Sequence, residues 1–105
     1  MPNNKVEKMI IQEFGENCKM ALAISQAENG TRQCDRDNAG LNKDGTVDYG
    51  VFMINGYWHR NKATPTQLKD CLTNIRVAKQ IFDRQGWHPW VVYKTGAYKK
   101  YYGTL

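Results

Sequence analysis

One stretch near the middle of the chain limits its possible folds more than any other. Asp44-Gly45 is a typical tight-turn sequence, and the residues from Thr46 to Asn55 then alternate in character. The alternation predicts a single strand whose faces carry Val47, Tyr49, Val51 and Met53 on one side and Asp48, Gly50, Phe52 and Ile54 on the other. Because a strand that follows such a turn pairs with the chain before it, we expect a β-hairpin.

Two amphipathic patterns before the hairpin predict helices. In the first, Asn4 is the expected N-cap with Glu7 three residues later, and Gly15 ends the pattern. The second runs from about residue 17 to residue 28 or 29, with Gly30 as the stop signal. The predicted apolar stripes are Val6, Met9, Ile10 and Phe14 in the first helix, and Cys18, Ala21, Leu22, Ser25 and Glu28 in the second.

One longer helix is predicted after the hairpin. Thr64-Pro65-Thr66-Gln67 combines a cap, a proline at the first helical position and a capping-box glutamine, and Gly86 ends the pattern. The stripe between them consists of Leu68, Cys71, Leu72, Ile75, Ala78 and Phe82. The tail from Trp87 to Tyr102 is aromatic and irregular, with room for a short helix. The expected fold class is therefore α+β, mostly α-helical with a small antiparallel β-hairpin, in a single domain over residues 1–105.

The charge of the chain suits an anionic partner without identifying one. Fifteen basic and ten acidic residues give a net charge of +5, which fits a bacterial wall, a nucleic acid or a lipid headgroup. Lysines alternate with tyrosines between Tyr93 and Tyr102, but no nucleic-acid-binding motif accompanies them, so we expect no nucleic acid partner. Met1-Pro2-Asn3-Asn4-Lys5 lacks the apolar stretch of a secretory signal, and no apolar run is long enough to predict membrane insertion.

The cysteines and acidic residues do not form a recognisable metal motif. A bridge between Cys34 and Cys71 and three free thiols are both compatible with the three cysteines. Neither histidine lies near two cysteines, so no zinc site is expected. The acidic stretch beginning at Asp35 resembles a calcium loop in composition only, because its twelfth position is Thr46 where an EF-hand has glutamate. We therefore expect neither a metal nor another cofactor.

Two carboxylates stand out by their positions. Glu28 occupies the last place of an apolar stripe and a helix C-terminus, where partial burial and the helix dipole both raise the pKa of a carboxyl group. Asp48 lies on the predicted strand, where aspartate is disfavoured. Taken singly, Glu28 could turn into solvent and Asp48 could hydrogen-bond to the hairpin backbone. As a pair they match glycosidase chemistry, which uses one protonated acid in an apolar setting and one ionised carboxylate in a polar setting.

The segment from Asp44 to Asn55, followed by Tyr57-Trp58, resembles the central motif of animal (c-type) lysozymes. It also resembles bacterial lytic transglycosylases of the lysozyme superfamily. Ala21 to Asn29 is similar to the helix that carries the catalytic glutamate in that superfamily. Asn74 to Phe82 and Trp87 to Tyr93 are similar to its later helix and tryptophan segment. The similarity covers most of the chain in the same order.

The resemblance implies roles for five residues. Glu28 would be the general acid that protonates the glycosidic oxygen, and Asp48 would be a nucleophile or electrostatic stabiliser. Asn55 and Trp58 would contact the sugar chain. Trp90 would screen the glutamate from water.

Other aromatic residues and three departures from the family pattern bear on the same resemblance. Tyr49 and Tyr57 are further candidate platforms for the apolar faces of sugars, although each could instead belong to the core. Met53 stands where these families commonly have glutamine, and Asn29 replaces a serine that often follows the transglycosylase glutamate. Most cysteines expected of animal lysozymes are absent, which favours a bacterial or phage origin.

The function implied is a peptidoglycan-degrading muramidase that cleaves the β-1,4 bond between N-acetylmuramic acid and N-acetylglucosamine. It would act on glycan strands as a monomer at the bacterial cell wall, after secretion, periplasmic export or phage delivery. One alternative is a lytic transglycosylase that cuts the same bond to a 1,6-anhydromuramyl product; Asp48 favours hydrolysis over this. Non-enzyme alternatives are a lysozyme-like domain that binds glycan without cleaving it, and a calcium-binding domain.

Overall fold

The structure, a computed structural model, describes residues 4–102 without the side chain of Asn4. Six α-helices and one two-stranded antiparallel sheet account for its regular elements, so the predicted α+β class is confirmed. The elements are α1 (Asn4–Phe14), α2 (Cys18–Glu28), β1 (Asp48–Tyr49), β2 (Ile54–Asn55), α3 (Pro65–Leu68), α4 (Cys71–Gln85), α5 (Val91–Lys94) and α6 (Lys99–Tyr102). A 3-10 turn over Gly15–Asn17 joins α1 to α2. The N-cap expected of Asn4 lies outside the described side chains.

Helix α2 is the central helix, and it carries Glu28 at its end. Five successive residues, from Ala21 to Ser25, are buried, so the helix is enclosed rather than merely amphipathic. The helix ends at Glu28, within the predicted bounds, but its end is formed by Asn29 in an extended conformation with φ −142° and not by a left-handed turn at Gly30. The Asn29 side chain then donates to the backbone oxygen of Gly50, 3.1 Å away, and so joins the end of α2 to the hairpin.

The hairpin is formed differently from the prediction. The single strand expected from Thr46 to Asn55 is wrong: the chain reverses at residues 50–53, and Asp48 pairs with Asn55 while Tyr49 pairs with Ile54. The turn places Gly50 and Met53 in the left-handed region, with φ of +79° and +48°. Val51 and Phe52, expected on opposite faces, are both buried in this turn, because it enters the core instead of continuing along a sheet.

The expected turn at Asp44-Gly45 exists as part of a longer loop. Gly45 has φ +81°, and its N–H donates to the backbone oxygen of Asn42 at 3.0 Å. The ends of this loop meet at an isolated antiparallel bridge between Asp37 and Tyr49. Pairing with the chain before the turn is therefore confirmed, but it is limited to that bridge.

Two side chains satisfy the backbone of the buried hairpin turn. Asn74 of α4 accepts from the N–H of Phe52 at 2.9 Å and donates to the backbone oxygens of Tyr49 and Leu68 at 2.8 and 2.9 Å. The indole of Trp90 donates to the backbone oxygen of Phe52 at 3.0 Å. Because a buried backbone group without a partner is costly, these bonds fix the turn against the helices.

The helix predicted from Thr64 to Gly86 is two helices. The capping box at Thr64 is confirmed, but α3 ends after one turn and Asp70 starts α4 as a new N-cap. The carboxylate of Asp70 accepts from the N–H of Thr73 at 3.1 Å. Gly86 ends α4 with φ +68°, as expected. The break sets the start of α4, so that Asn74 reaches the hairpin.

A disulfide joins Cys34, in the loop after α2, to Cys71 at the start of α4, with 5.0 Å between the Cα atoms. Of the two possibilities left by the sequence, the bridged one is therefore observed, and Cys18 is a half-buried free thiol. The aromatic tail forms two short helices, α5 and α6. Within residues 4–102, no helix has the length and apolar character needed to cross a membrane.

Candidate active site

A cleft of about 510 Å³ lies where the end of α2, the hairpin and the segment before α5 meet. Its lining is polar in the loop from Asn42 to Asp48 and apolar where Ile54, Ile81 and Trp90 contribute. A cleft with a few polar groups in a largely apolar wall is the usual form of a small-molecule or glycan site.

Glu28 enters this cleft from the last position of α2. The side chain is half-buried, and no described residue donates a hydrogen bond to its carboxyl group. Burial, followed by the negative charge of Asp48, raises the pKa of Glu28 from 4.5 to about 7. Since a carboxyl group with this pKa holds its proton for much of the time at neutrality, Glu28 can donate a proton there.

Asp48 lies in the same cleft in an opposite environment. Its Oδ1 accepts from the side-chain amides of Asn42 and Asn55 at 3.0 and 3.1 Å, and its Oδ2 accepts from Asn38 at 3.3 Å. These donors are side-chain amides, so the alternative of a bond to the hairpin backbone is wrong. Glu28 has no such donor among the described residues, and the two carboxylates therefore differ in their surroundings.

A hydrogen-bonded chain fixes Trp58 at the cleft. Its indole N–H donates to Asp44 at 3.2 Å, and Asp44 in turn accepts from the hydroxyl and the N–H of Thr46 at 2.6 and 3.0 Å. The hydroxyl of Thr46 is the main cause of the lowered pKa of Asp44, so this exposed carboxylate stays ionised. Trp58 is 62 % exposed although its indole N–H is hydrogen-bonded. An exposed, oriented indole is suited to stacking on a sugar ring.

Asn55 connects Asp48 with Trp58. Its amide nitrogen donates to Asp48 and, at 2.7 Å, to the hydroxyl of Thr46. Its oxygen accepts from the backbone N–H groups of Tyr57 and Trp58 at 3.0 and 2.9 Å. The side-chain bonds of Asn55 therefore go to protein groups, which suits a residue that positions the site.

Comparison with protein families identifies the family of the chain. A family model described as a lysozyme-like domain matches residues 11–92, a range that contains Glu28, Asp48 and Trp90. The chain belongs to the lysozyme-like domain family. Members of the family are typically peptidoglycan-cleaving enzymes. A search of curated proteins gives no match.

The lysozyme-like domain places five of the seven candidate residues in one cleft. They are Glu28, Asp48, Asn55, Trp58 and Trp90. Trp90 is only 4 % exposed, and its ring packs against Phe52 and Trp87. It therefore forms part of the apolar wall of the cleft and belongs to the core as well.

Tyr49 and Tyr57 do not line this cleft. They line a separate cavity of about 280 Å³ together with Arg60, whose guanidinium lies 4.3 Å from the Tyr57 ring centre. Tyr49 is half-buried against Gly56, where a Cβ atom would come within 2.7 Å of the tyrosine ring. Their expected contact with a sugar in the main cleft stays a prediction, and the geometry does not favour it.

Several residues of the site were not anticipated from the sequence. Asn38, Asn42 and Thr46 belong to the stretch considered as a calcium loop, and their amides and hydroxyl instead surround Asp48 and Asp44. Their even spacing in a polar loop beside a candidate carboxylate was the available signal. Among residues 4–102, no group of three or more His, Cys, Asp and Glu side chains could hold a metal ion.

His59 also lines the cleft. Its Nδ1 atom is buried and has no hydrogen-bond partner among the described residues. Burial, with a smaller contribution from Lys62, lowers the pKa of His59, so the ring is neutral near pH 7.

Proposed function

We propose that this domain is a muramidase, which hydrolyses the β-1,4 bond between N-acetylmuramic acid and N-acetylglucosamine in peptidoglycan. Glu28 is the general acid and Asp48 is the second carboxylate. The observation that carries this proposal is the contrast within one cleft between a half-buried Glu28 without a hydrogen-bond donor and an Asp48 that accepts from three amides. Glycosidases divide the roles of their two carboxylates in this way, and lysozyme is the standard example of that division.

The reaction follows from that division. Protonated Glu28 gives its proton to the glycosidic oxygen as the bond from that oxygen to C1 of N-acetylmuramic acid breaks. The electron pair of the bond leaves with the oxygen, and positive charge develops at C1. Asp48 stabilises this charge or bonds to C1, and ionised Glu28 then removes a proton from the attacking water. The products are a new reducing end and a regenerated Glu28 acid.

The rest of the cleft supports binding of a polysaccharide. Trp58 offers an exposed ring for the apolar face of a sugar, and Trp90 with Ile54 provides a dry wall near Glu28. The net charge of +5 favours approach to an anionic bacterial wall, which is where the domain would act.

A lytic transglycosylase is the second candidate, and one observation favours it. Met53, an apolar residue of the hairpin turn with φ +48°, lines the cleft. If substrate binds with C1 close to Met53, the apolar side chain excludes water, and the C6 hydroxyl of the same N-acetylmuramic acid attacks C1 instead to give a 1,6-anhydro product. The reaction would still require Glu28 but would depend less on Asp48.

Substitution of Asp48 by Asn separates the two outcomes. If the domain hydrolyses its substrate, we expect Asp48→Asn to lower kcat by about a hundredfold or more, because the developing charge at C1 loses its anionic partner. The measurement is mass spectrometry of peptidoglycan digested by both forms, with thermal unfolding to show that the variant is folded. Reducing ends from the wild type together with this loss support the muramidase; anhydromuramyl ends with little loss would establish the transglycosylase.

A further inference from the structure

A second groove, of about 430 Å³, runs along the aromatic tail. It is lined chiefly by His88, Tyr93, Lys94, Gly96, Tyr98 and Lys99. His88 lines this tail groove, whereas the next two residues along the chain, Pro89 and Trp90, line the catalytic cleft. The linings of the two cavities are therefore contiguous along the chain at residues 88–90, and this contiguity is the structural link between the tail groove and the cleft.

Two lysines of the tail groove, Lys94 and Lys99, have no ion-pair partner among the described residues. No Asp or Glu follows Asp83 in the sequence, and four basic residues do: Arg84, Lys94, Lys99 and Lys100. Lys94 and Lys99 are exposed, and neither forms an ion pair with a carboxylate in the described part of the chain. Unpaired cations in a concave surface favour an anionic ligand.

The same groove has an ordered aromatic wall. The rings of Tyr93 and Tyr98 are stacked, with centres 5.4 Å apart and planes 19° apart, and His88 meets Tyr93 edge-on at 5.6 Å. At Gly96, where φ is +82°, a Cβ atom would lie 3.5 Å from Cε of Lys99 and 3.7 Å from its Nζ. The stem of Lys99 therefore lies across the Gly96 turn, which keeps its ammonium group at the groove.

We propose that the tail groove binds the acidic peptide branch of peptidoglycan, which is attached to the lactyl group of N-acetylmuramic acid. This inference rests on the proposed function, because it requires the glycan strand to occupy the cleft. A peptide branch alternates small apolar side chains with carboxylates, which matches two cations beside stacked tyrosines. A phosphate polymer or a nucleic acid would be matched by a denser row of cations, and Lys100 is instead turned over the Tyr101 ring at 5.2 Å.

The test compares two substrates that differ only in the peptide branch. Glycan strands with intact peptides and strands stripped by an amidase are digested by the wild type and by the Lys94→Gln/Lys99→Gln variant. We expect the KM of the variant for intact strands to rise about fivefold with kcat unchanged, since each exposed ion pair contributes modestly. For stripped strands, the wild type and the variant should have the same KM. The matched control is Lys8→Gln/Arg84→Gln, which removes two charges from exposed residues that line none of the described cavities.

A binding measurement on a ligand that is not cleaved tests the tail groove independently of the proposed muramidase activity. Calorimetry with the Glu28→Gln protein should show tighter binding of a muramoyl-peptide fragment than of the same fragment without peptide, and the Lys94/Lys99 substitutions should remove the difference. If the wild type cleaves neither kind of strand, the proposed function fails, but calorimetry still shows whether the tail groove binds the peptide branch. The proposal would be overturned if the Lys94→Gln/Lys99→Gln variant showed the same rise in KM on intact and stripped strands, or if the control variant showed the same rise. It would also be overturned if that variant lost affinity only for poly(glycerol phosphate) or for an oligonucleotide.

Discussion

Substitution of Glu28 by Gln is expected to lower the rate of peptidoglycan cleavage by about a thousandfold or more, because glutamine keeps the shape of the side chain but cannot protonate the leaving oxygen. Wild-type activity should itself fall as the pH rises through about 7, where Glu28 loses its proton. The measurement is the release of soluble fragments from purified peptidoglycan as a function of pH. Glu16→Gln, which removes one exposed carboxylate from the turn before α2, is the matched control and should be as active as the wild type.

The stability of the Glu28→Gln protein shows whether it is folded and tests the same carboxyl group independently. In the unfolded chain Glu28 ionises near pH 4.5, but in the folded chain it ionises near 7. The folded wild type therefore loses stability as the pH rises between these values, whereas the glutamine variant does not. Relative to the wild type, the variant should gain up to about 3 kcal/mol in free energy of unfolding between pH 4 and pH 8. Cleavage of peptidoglycan by Glu28→Gln at the wild-type rate would contradict the role of Glu28 as general acid. If the variant is inactive but still binds glycan, while the wild type cleaves it, a domain that only binds glycan is excluded.

Substitution of Gly50 by Ala is expected to produce the largest loss of stability. Gly50 has φ +79° in the buried hairpin turn, and an added Cβ would lie 2.6 Å from the backbone oxygen of Leu68 and also overlap the Asn74 amide. The left-handed conformation costs alanine about 1 kcal/mol. Overlap with backbone and with the buried amide adds about 2–3 kcal/mol more. A total of about 3–4 kcal/mol is a large part of the stability of a domain of this size.

Gly45→Ala is the control for this prediction. Gly45 has nearly the same φ, +81°, but no atom lies within 4 Å of its missing Cβ. The Gly45→Ala variant should lose only the cost of the left-handed conformation, about 1 kcal/mol in free energy of unfolding. Urea unfolding followed by tryptophan fluorescence measures both variants. Equal losses would show that the hairpin turn is not packed against α3 and α4 as described.

The helices that carry the site could be predicted because their signals are local. The position of Glu28 at the end of α2 follows from the apolar stripe, and the capping box at Thr64 needs only adjacent residues. The break before α4 was missed because the apolar stripe continues across it. Asp70, an N-cap residue inside that stripe, was the signal that could have shown it.

The hairpin and the surroundings of the carboxylates could not be predicted from local pattern. Alternation from Thr46 to Asn55 suggested one strand, but the partners that fix the turn, Asn74 and Trp90, come from distant parts of the chain. Similarly, the sequence suggested that burial would raise the pKa of Glu28, but not that Asp48 would contribute. Both the hairpin turn and the effect of Asp48 on the pKa of Glu28 depend on tertiary contacts, which the periodicity of the sequence does not predict.

The most direct measurement is an NMR titration of the Glu28 side-chain carboxyl carbon, in protein labelled with carbon-13 at glutamate and assigned with the Glu28→Gln variant. We expect a midpoint of about 7 in the wild type. In Asp48→Asn the midpoint should be lower but still above 4.5, because burial is the larger cause of the shift. A wild-type midpoint near 4.5 would mean that Glu28 is ionised at neutrality, and it could not then be the proton donor.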